Sequence, residues 1–112
     1  MNDAHDMTVP RSPEHSLSGK QRRHLRGAAH HIVPVVQVGK EGVTAAVVGA
    51  VTAALEDHEL IKVRILESAP IDLTEASERF AQNCGAHVVG KIGRIAILYR
   101  RRLHEPVLTL PP

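Results

Sequence analysis

Two short β-branched segments, separated by a helical pattern, constrain this chain more than any other feature. Residues 33–38 (VPVVQV) and 60–66 (LIKVRIL) are rich in Val and Ile, which favour strands. Between them, residues 44–58 carry apolar side chains at helical spacing. A strand–helix–strand unit of this kind favours parallel pairing of its strands with a right-handed crossover. The sequence therefore predicts a β-α-β unit at its centre.

Two further helices, each opened by capping-box spacing, and two further strands complete the predicted set of elements. They cover residues 18–31, 72–84, 87–92 and 95–100, with a tight turn at Gly93–Arg94 between the last two. The predicted fold is α/β, of the two-layer α+β kind. It has an N-terminal helix, then β-α-β-α-β-β, and a mixed four-stranded sheet.

A chain of 112 residues has the length of one domain. Residues 1–16 are polar and are predicted to form a disordered N-terminal tail, residues 17–102 the folded domain, and residues 103–112 a loosely docked C-terminal tail. No apolar run approaches the ~20 residues that a membrane span needs, and no secretory pattern opens the chain. We expect a cytoplasmic monomer.

The charges are sorted along the chain, although the net charge is only +2. Basic blocks over residues 17–42, 61–66 and 86–102 alternate with acidic blocks over 43–60 and 67–85. If the basic blocks meet in space, the domain has one positive face, which is typical of a protein that binds a polyanion. A well-solvated surface of mixed charge is the alternative.

A glycine-rich loop, Gly39-Lys40-Glu41-Gly42, lies between a predicted strand and a predicted helix. Glycines let a ligand approach the backbone closely, and a helix start favours phosphate. KH domains use a similar G-x-x-G loop to clamp a nucleic-acid backbone. An ordinary strand-to-helix turn is the alternative, and the acidic Glu41 counts against a phosphate role. A second copy of the pattern, at residues 90–93, is interpreted as strand and turn.

The first predicted helix carries cations on a broad face and has no acidic residue to neutralise them. We expect its basic side chains to bind phosphates, with further basic residues on the strands extending the patch. The first group is Lys20, Arg22, Arg23, Arg26 and His30, and the second is Lys62, Arg64, Arg94 and Arg100. A solvated helix face is the alternative.

Several classes of function are disfavoured by what the chain contains. Phe80 and Tyr99 are the only aromatic residues apart from histidine, so RNA recognition by stacked rings is not expected. The single cysteine, Cys84, is expected to be a buried apolar residue. The histidines lack metal-ligand spacing, and no catalytic set stands out. We therefore expect no cofactor, no metal site and no enzymatic activity.

Three stretches follow one another along the chain: LSGKQRRHLRGAAHHIVPVVQVGKEGVT at 17–44, ALEDHELIKVRIL at 54–66 and VGKIGRIAILYR at 89–100. Together and in this order they resemble the CRM domain family (chloroplast RNA splicing and ribosome maturation), whose bacterial single-domain members are the YhbY-like proteins. The resemblance implies a fold like the C-terminal domain of translation initiation factor 3, and RNA binding linked to the precursor of the large ribosomal subunit. It maps the family's G-x-x-G loop onto residues 39–42 and its basic helix positions onto Lys20, Arg26 and His30.

The resulting hypothesis is a non-enzymatic protein that binds structured ribosomal RNA and assists large-subunit assembly. Its expected partners are ribosomal RNA, the pre-large-subunit particle and ribosomal proteins. One alternative is a module that docks on ribosomal proteins through its acidic helices without touching RNA. DNA binding and a small enzyme acting on a phosphorylated substrate are the remaining alternatives.

Overall fold

The structure, a computed structural model, describes residues 16–112 and contains the predicted elements in the predicted order. The predicted tail over residues 1–16 lies, except for Ser16, outside the described residues. The elements are α1 (Gly19–Ala28) with a 3₁₀ turn (Ala29–His31), β1 (Val36–Val38), α2 (Ala45–His58), β2 (Leu60–Ile65), α3 (Leu73–Cys84), β3 (His87–Ile92) and β4 (Ile95–Tyr99). Among the described helices, none is long and apolar enough to cross a membrane.

The strands form one mixed sheet in the order β1-β2-β4-β3. β1 and β2 are parallel, with Val36 opposite Val63, and β4 runs antiparallel to both of its neighbours. The α/β class and the mixed four-stranded sheet are thereby confirmed. The implied likeness to the domain of translation initiation factor 3 stays a prediction.

Helices cover both faces of this sheet. Along β4, Ala96 and Leu98 join a core cluster with α2 and α3, whereas Ile97 and Tyr99 join a second cluster with Leu25 of α1. Successive strand residues point to opposite faces, so α1 lies on the face that α2 and α3 leave open. The predicted two-layer arrangement describes the α2–α3 side, and α1 adds a partial third layer because the sheet is apolar on part of its other face.

The helix boundaries follow local chemistry. Ser18 and Gln21 form both bonds of the predicted capping box, at 3.0 and 3.1 Å. Asp72 accepts from the Glu75 backbone N–H at 2.8 Å. α1 is shorter than predicted because its chain tightens into the 3₁₀ turn, which places His30 outside the α-helix.

The segment after β4 is bound to the domain, whereas the sequence predicts loose docking. Glu59, at the end of α2, is fully buried, and its carboxylate accepts the backbone N–H groups of Arg102, Val107 and Leu108 at 2.7–2.9 Å. Leu110 is buried in the second cluster with Leu25. A buried carboxylate needs such donors, since an unpaired buried charge is strongly destabilising.

Candidate nucleic-acid interface

Lys62 and Arg64 lie on the sheet face that α1 partly covers. The alternate residues Ile61, Val63 and Ile65 point into the α2–α3 core, so the two cations must point the other way. Lys62 is opposite Ile97 in the β2–β4 register and is half-buried, while Arg64 is opposite Ile95 and is exposed. The predicted basic face of β2 therefore exists and looks towards α1.

Strand pairing extends these two positions across the sheet. Gly90 of β3 is opposite Ile97, which completes a row Lys62–Ile97–Gly90. Gln37 of β1, Arg64, Ile95 and Ile92 form the next row. We call the exposed part of this face, formed by Gln37, Lys62, Arg64, Ile92 and Ile95, the open sheet face.

α1 lies beside the open sheet face and holds two arginines against β3. The Arg22 guanidinium donates to the carbonyl oxygens of Val88 and Val89. The stem of Arg26 crosses β3 at Gly90, in the row that contains Lys62. Arg26 therefore lies on the same face of the sheet as Lys62. The two strands β3 and β2 are two strand spacings apart, roughly 10 Å.

Arg22 has a different place from the one predicted. It was expected among the phosphate-binding cations of α1, but it is half-buried and its guanidinium contacts carbonyl groups of β3. The cause is its position on the turn of α1 that packs directly on that strand. Its role in the structure is to fix α1 on the sheet.

The remaining predicted basic residues of α1 and its 3₁₀ turn are exposed. Lys20 and Arg23 lie on the helix, and His30 lies in the 3₁₀ turn with its ring edge-to-face against His31, 5.3 Å between centroids. We define the cationic face as the predicted RNA-binding residues of α1, its 3₁₀ turn and β2 other than Arg22: Lys20, Arg23, Arg26, His30, Lys62 and Arg64. Within residues 16–112, none of its lysines and arginines forms an ion pair with a carboxylate.

The Gly39–Gly42 loop is a tight turn at the end of β1, next to the row that contains Gln37. The Gly42 N–H donates to the Gly39 carbonyl at 2.9 Å, and Lys40 and Glu41 are exposed at the corners. Gly42 has φ +75° and packs on Pro70, so the turn itself requires a glycine there. Gly39 has no such requirement, since an added Cβ would meet only Leu66 at 3.9 Å.

Arg94 and Arg100 lie at opposite ends of β4. Arg94 is exposed in the β3–β4 turn, and its guanidinium donates to the carbonyls of Ile65 and Leu66 at 2.9 and 3.0 Å. These contacts place Arg94 at the same end of the sheet as the glycine loop, because the parallel strands β1 and β2 both have their C-terminal ends there. Arg94 therefore lies near the predicted site, although its donors are partly used by the backbone.

Arg100 lies away from the other predicted residues. It donates to the Cys84 carbonyl at 2.9 Å and pairs with Glu56, which joins the ends of α3 and α2. Only 12% of its side chain is exposed. The expectation that Arg100 extends the cationic patch is not supported by this placement, because strand β4 delivers it to the far end of the sheet.

The carboxylates are concentrated on the other side of the molecule. Glu56 and Asp57 of α2 and Glu75 and Glu78 of α3 are exposed on the layer opposite α1. The sequence contains no Asp or Glu from residue 15 to residue 40. These carboxylates therefore lie across the sheet from α1, but cations lie on their side too: Arg79 of α3, Lys91, which donates to Thr74 of α3, and Arg100.

The aromatic rings and the thiol are buried. Phe80 and Tyr99 are fully buried, so within residues 16–112 neither offers a stacking surface for a base. Burial, with a smaller contribution from Glu59, raises the pKa of Tyr99 well above its usual range. Burial also raises the pKa of the Cys84 thiol, which lies 3.7 Å from the Val48 carbonyl. No group of three or more metal-ligating side chains is found in the described part of the chain.

Two contributors to this surface are not among the residues predicted from the sequence. Gln37 shares a row with Arg64, and Gly90 supports Arg26. The alternation of Gln37 with the apolar Val36 and Val38 was the available signal for the first. Gly90 had no local signal, because its role depends on where α1 packs.

Comparisons with known proteins agree on one family. The model of the CRS1 / YhbY (CRM) domain matches residues 17–100. The chain is 37% identical over 95 residues to the probable RNA-binding protein YqeI of Bacillus subtilis, covering 85% of this chain and 99% of that protein. It is 42% identical over 88 residues to a probable RNA-binding protein of Methanocaldococcus jannaschii, covering 77% of this chain and 65% of that protein.

A solved structure has the same fold. The solution structure of a hypothetical protein from Staphylococcus aureus, described as a candidate RNA-binding protein, superposes with a TM-score of 0.73 at 34% identity. The match covers 86% of this chain and all of that one.

Proposed function

Because the chain belongs to the CRS1 / YhbY (CRM) domain family, we propose that it binds structured RNA through the cationic face. The observation that carries the proposal is the convergence of α1 and β2. Lys62 and Arg64 share one face of the sheet with Arg26, although more than thirty residues separate the two segments in sequence. Cations that lack carboxylate partners are available to neutralise phosphates and to release their counterions.

The proposed mode of recognition uses phosphates and shape. Phe80 and Tyr99 are both in the core and cannot stack on a base, so the proposed face depends chiefly on its basic side chains. The face combines basic side chains with Gln37 and the glycine loop, which suits the backbone of a folded RNA. Binding of this kind depends strongly on salt. If about five phosphates are engaged, affinity falls on the order of 100-fold between 50 and 200 mM salt.

We further propose that the RNA is ribosomal, that the protein acts in the cytoplasm in assembly of the large subunit, and that its role is binding without catalysis. The similarity to the CRM family supports the first part. Crosslinking in cells, followed by sequencing of the attached transcripts, tests the identity of the RNA.

The direct test replaces Lys62 and Arg64 with alanine and measures affinity for total ribosomal RNA. We expect a loss of at least tenfold at physiological salt and a salt slope reduced by about two, since each phosphate contact contributes about one. Arg79→Ala is the matched control, because Arg79 is an exposed arginine on α3 at the opposite layer. Equal affinities of the double variant and the control would contradict the proposal.

A second test reverses the charge of the helix. Lys20, Arg23 and Arg26 changed together to glutamate are expected to abolish binding while the melting temperature stays within a few degrees. Unchanged binding would remove α1 from the interface.

A protein-docking role is favoured by one observation, the exposed carboxylates of α2 and α3 on the opposite layer. That surface would suit a basic protein. Ribonuclease treatment separates the two roles, because a complex held by protein contacts survives it and a complex held by RNA does not.

A further inference from the structure

The second G-x-x-G segment, residues 90–93, contacts α1, the helix that carries part of the cationic face, through Gly90 and Arg26. β3 has a bulge between Val88 and Gly90, where the register with β4 shifts. The Arg22 guanidinium binds the carbonyls of Val88 and Val89 at this bulge. The next residue, Gly90, lies under the stem of Arg26. One short stretch of β3 therefore contacts both arginines.

Gly90 is needed for space and not for backbone conformation. It is absent from the glycines with positive φ, which are Gly42, Gly85 and Gly93. A Cβ at position 90 would lie 3.2 Å from the Cδ of Arg26 and 3.6 Å from its Cγ. Ordinary carbon contacts are about 3.5–4.0 Å, so the side chain of Arg26 would have to move. In a strand interior glycine is otherwise unfavourable, and the close approach of Arg26 gives a physical reason for a glycine beside this bulge.

The direction of Arg26 then follows from the strand register. The Cβ position of Gly90 points to the α1 side, because Gly90 is opposite Ile97, a member of the α1 cluster. Lys62 is opposite the same Ile97 from the other side. The stem of Arg26 therefore rests at one end of a row whose other end is Lys62.

We propose that Gly90 is a positioning residue for RNA binding. It acts through Arg26, whose stem it lets lie flat on β3, and it does not itself contact RNA. Arg22 supports the arrangement by fixing the bulge that presents Gly90. This inference rests on the proposed function. It gives the second G-x-x-G segment a structural role, as the part of β3 on which α1 packs.

The experiment is a double-mutant cycle with Gly90→Ala and Arg26→Ala, read out by RNA affinity, salt slope and melting temperature. Gly90→Ala alone is expected to weaken binding by roughly threefold or more, the scale of coupling between contacting residues. It should also lower the salt slope by up to about one, as expected for a displaced phosphate contact. In the Arg26→Ala background, Gly90→Ala should cause no further loss. The melting temperature of Gly90→Ala should not fall, because alanine suits a strand better than glycine.

Gly49→Ala is the matched control, since Gly49 lies on α2 and an added Cβ there meets nothing within 4 Å. It should leave RNA affinity unchanged. Wild-type affinity of Gly90→Ala, or an equal loss with and without Arg26, would overturn the inference. The proposed function fails separately, if the Lys62 and Arg64 variants also bind normally.

A second measurement does not depend on RNA. The NMR resonance of the Arg26 Nε–H in the free protein should shift in Gly90→Ala and stay in place in Gly49→Ala. An unmoved resonance would mean that Gly90 does not position Arg26.

Discussion

Glu59 and Leu108 are joined across 49 positions of the chain by a hydrogen bond of 2.7 Å, from the Leu108 backbone N–H to Oε1 of the carboxylate. The same oxygen accepts from Val107, and the second oxygen accepts from Arg102. Glu59 is fully buried and has φ +65°, a backbone conformation that residues other than glycine rarely adopt. The carboxylate therefore anchors the C-terminal segment from a strained backbone position.

Replacing Glu59 with alanine should lower the free energy of unfolding by about 3 kcal/mol, because three partly buried backbone N–H groups lose their buried acceptor. Glu59→Gly should be less damaging than Glu59→Ala by about 1 kcal/mol, because glycine relieves the positive φ. Urea denaturation measures both. Glu78→Ala, an exposed carboxylate on α3, is the control and should change little. Equal stability of the Glu59 and Glu78 variants would show that the anchor is unimportant.

Arg100 should behave as a stabilising residue and not as an RNA ligand. Arg100→Met removes the bonds to the Cys84 carbonyl and to Glu56, so we expect a loss of about 1–3 kcal/mol in unfolding free energy. RNA affinity should remain within about twofold of the wild type, which is a smaller change than the loss of a phosphate contact would cause. Arg64→Met should show the reverse pattern. A large loss of RNA affinity in Arg100→Met, with stability retained, would return this residue to the interface.

Alanine substitutions at the two glycines of the first loop should have different effects on stability and on RNA binding. Gly42→Ala should lower the unfolding free energy by about 1–2 kcal/mol, because φ is +75° and Pro70 lies 3.5 Å from the added carbon. Gly39→Ala should leave stability nearly unchanged, since its added carbon meets only an ordinary contact. A decrease in RNA affinity in Gly39→Ala would then report close approach of the RNA backbone to the loop. Unchanged affinity would mean that the loop is only a turn.

Tyr99 should make the protein sensitive to alkaline pH. Its folded-state pKa is raised by burial and by Glu59, whereas the phenol of an unfolded chain titrates near pH 10. Stability from the protonated phenol is therefore present below about pH 10 and is lost as pH rises towards the folded pKa, at up to about 1.4 kcal/mol per pH unit. Phenolate absorbance follows this directly, because the chain has one Tyr and no Trp.

Tyr99→Phe is the matching variant for that titration. The Tyr99 hydroxyl is buried without a hydrogen-bond partner in the described part of the protein, so its removal should cost little near neutral pH. Urea midpoints of the variant should depend less on pH above about 10 than those of the wild type. Parallel curves would assign the alkaline loss to other groups.

Local chemistry made much of the fold predictable. The order of the elements, the Ser18 capping box and the cap at Asp72 all follow from short-range spacing. The placement of α1 could not be predicted from short-range spacing, because an apolar stripe on a helix does not determine which face of the sheet the helix covers. The distinction between Arg22 and Arg26 was also hidden, since both lie on one side of the helix and differ only in what β3 offers beneath them.

The type of candidate site, a basic surface, could be predicted from the sequence, but the full set of residues that form it could not. Lys62 and Arg64 could be placed on one strand face from alternation alone. Arg100 was misplaced because a basic residue at a strand end carries no sign of the carboxylate it will meet, here Glu56. Glu59 was not singled out, because an acidic residue before a strand looks like a solvated one.

The separation of charge by the sheet gives the domain an electric dipole across its thickness. In the field of a nearby polyanion, such a molecule experiences a torque that turns its α1 side forward before contact. Collisions in the reverse orientation gain less attraction, because α3 presents the exposed Glu78 there and its Arg79 is paired with Glu75. The architecture would thus select one approach direction and disfavour a second nucleic-acid strand on the far side.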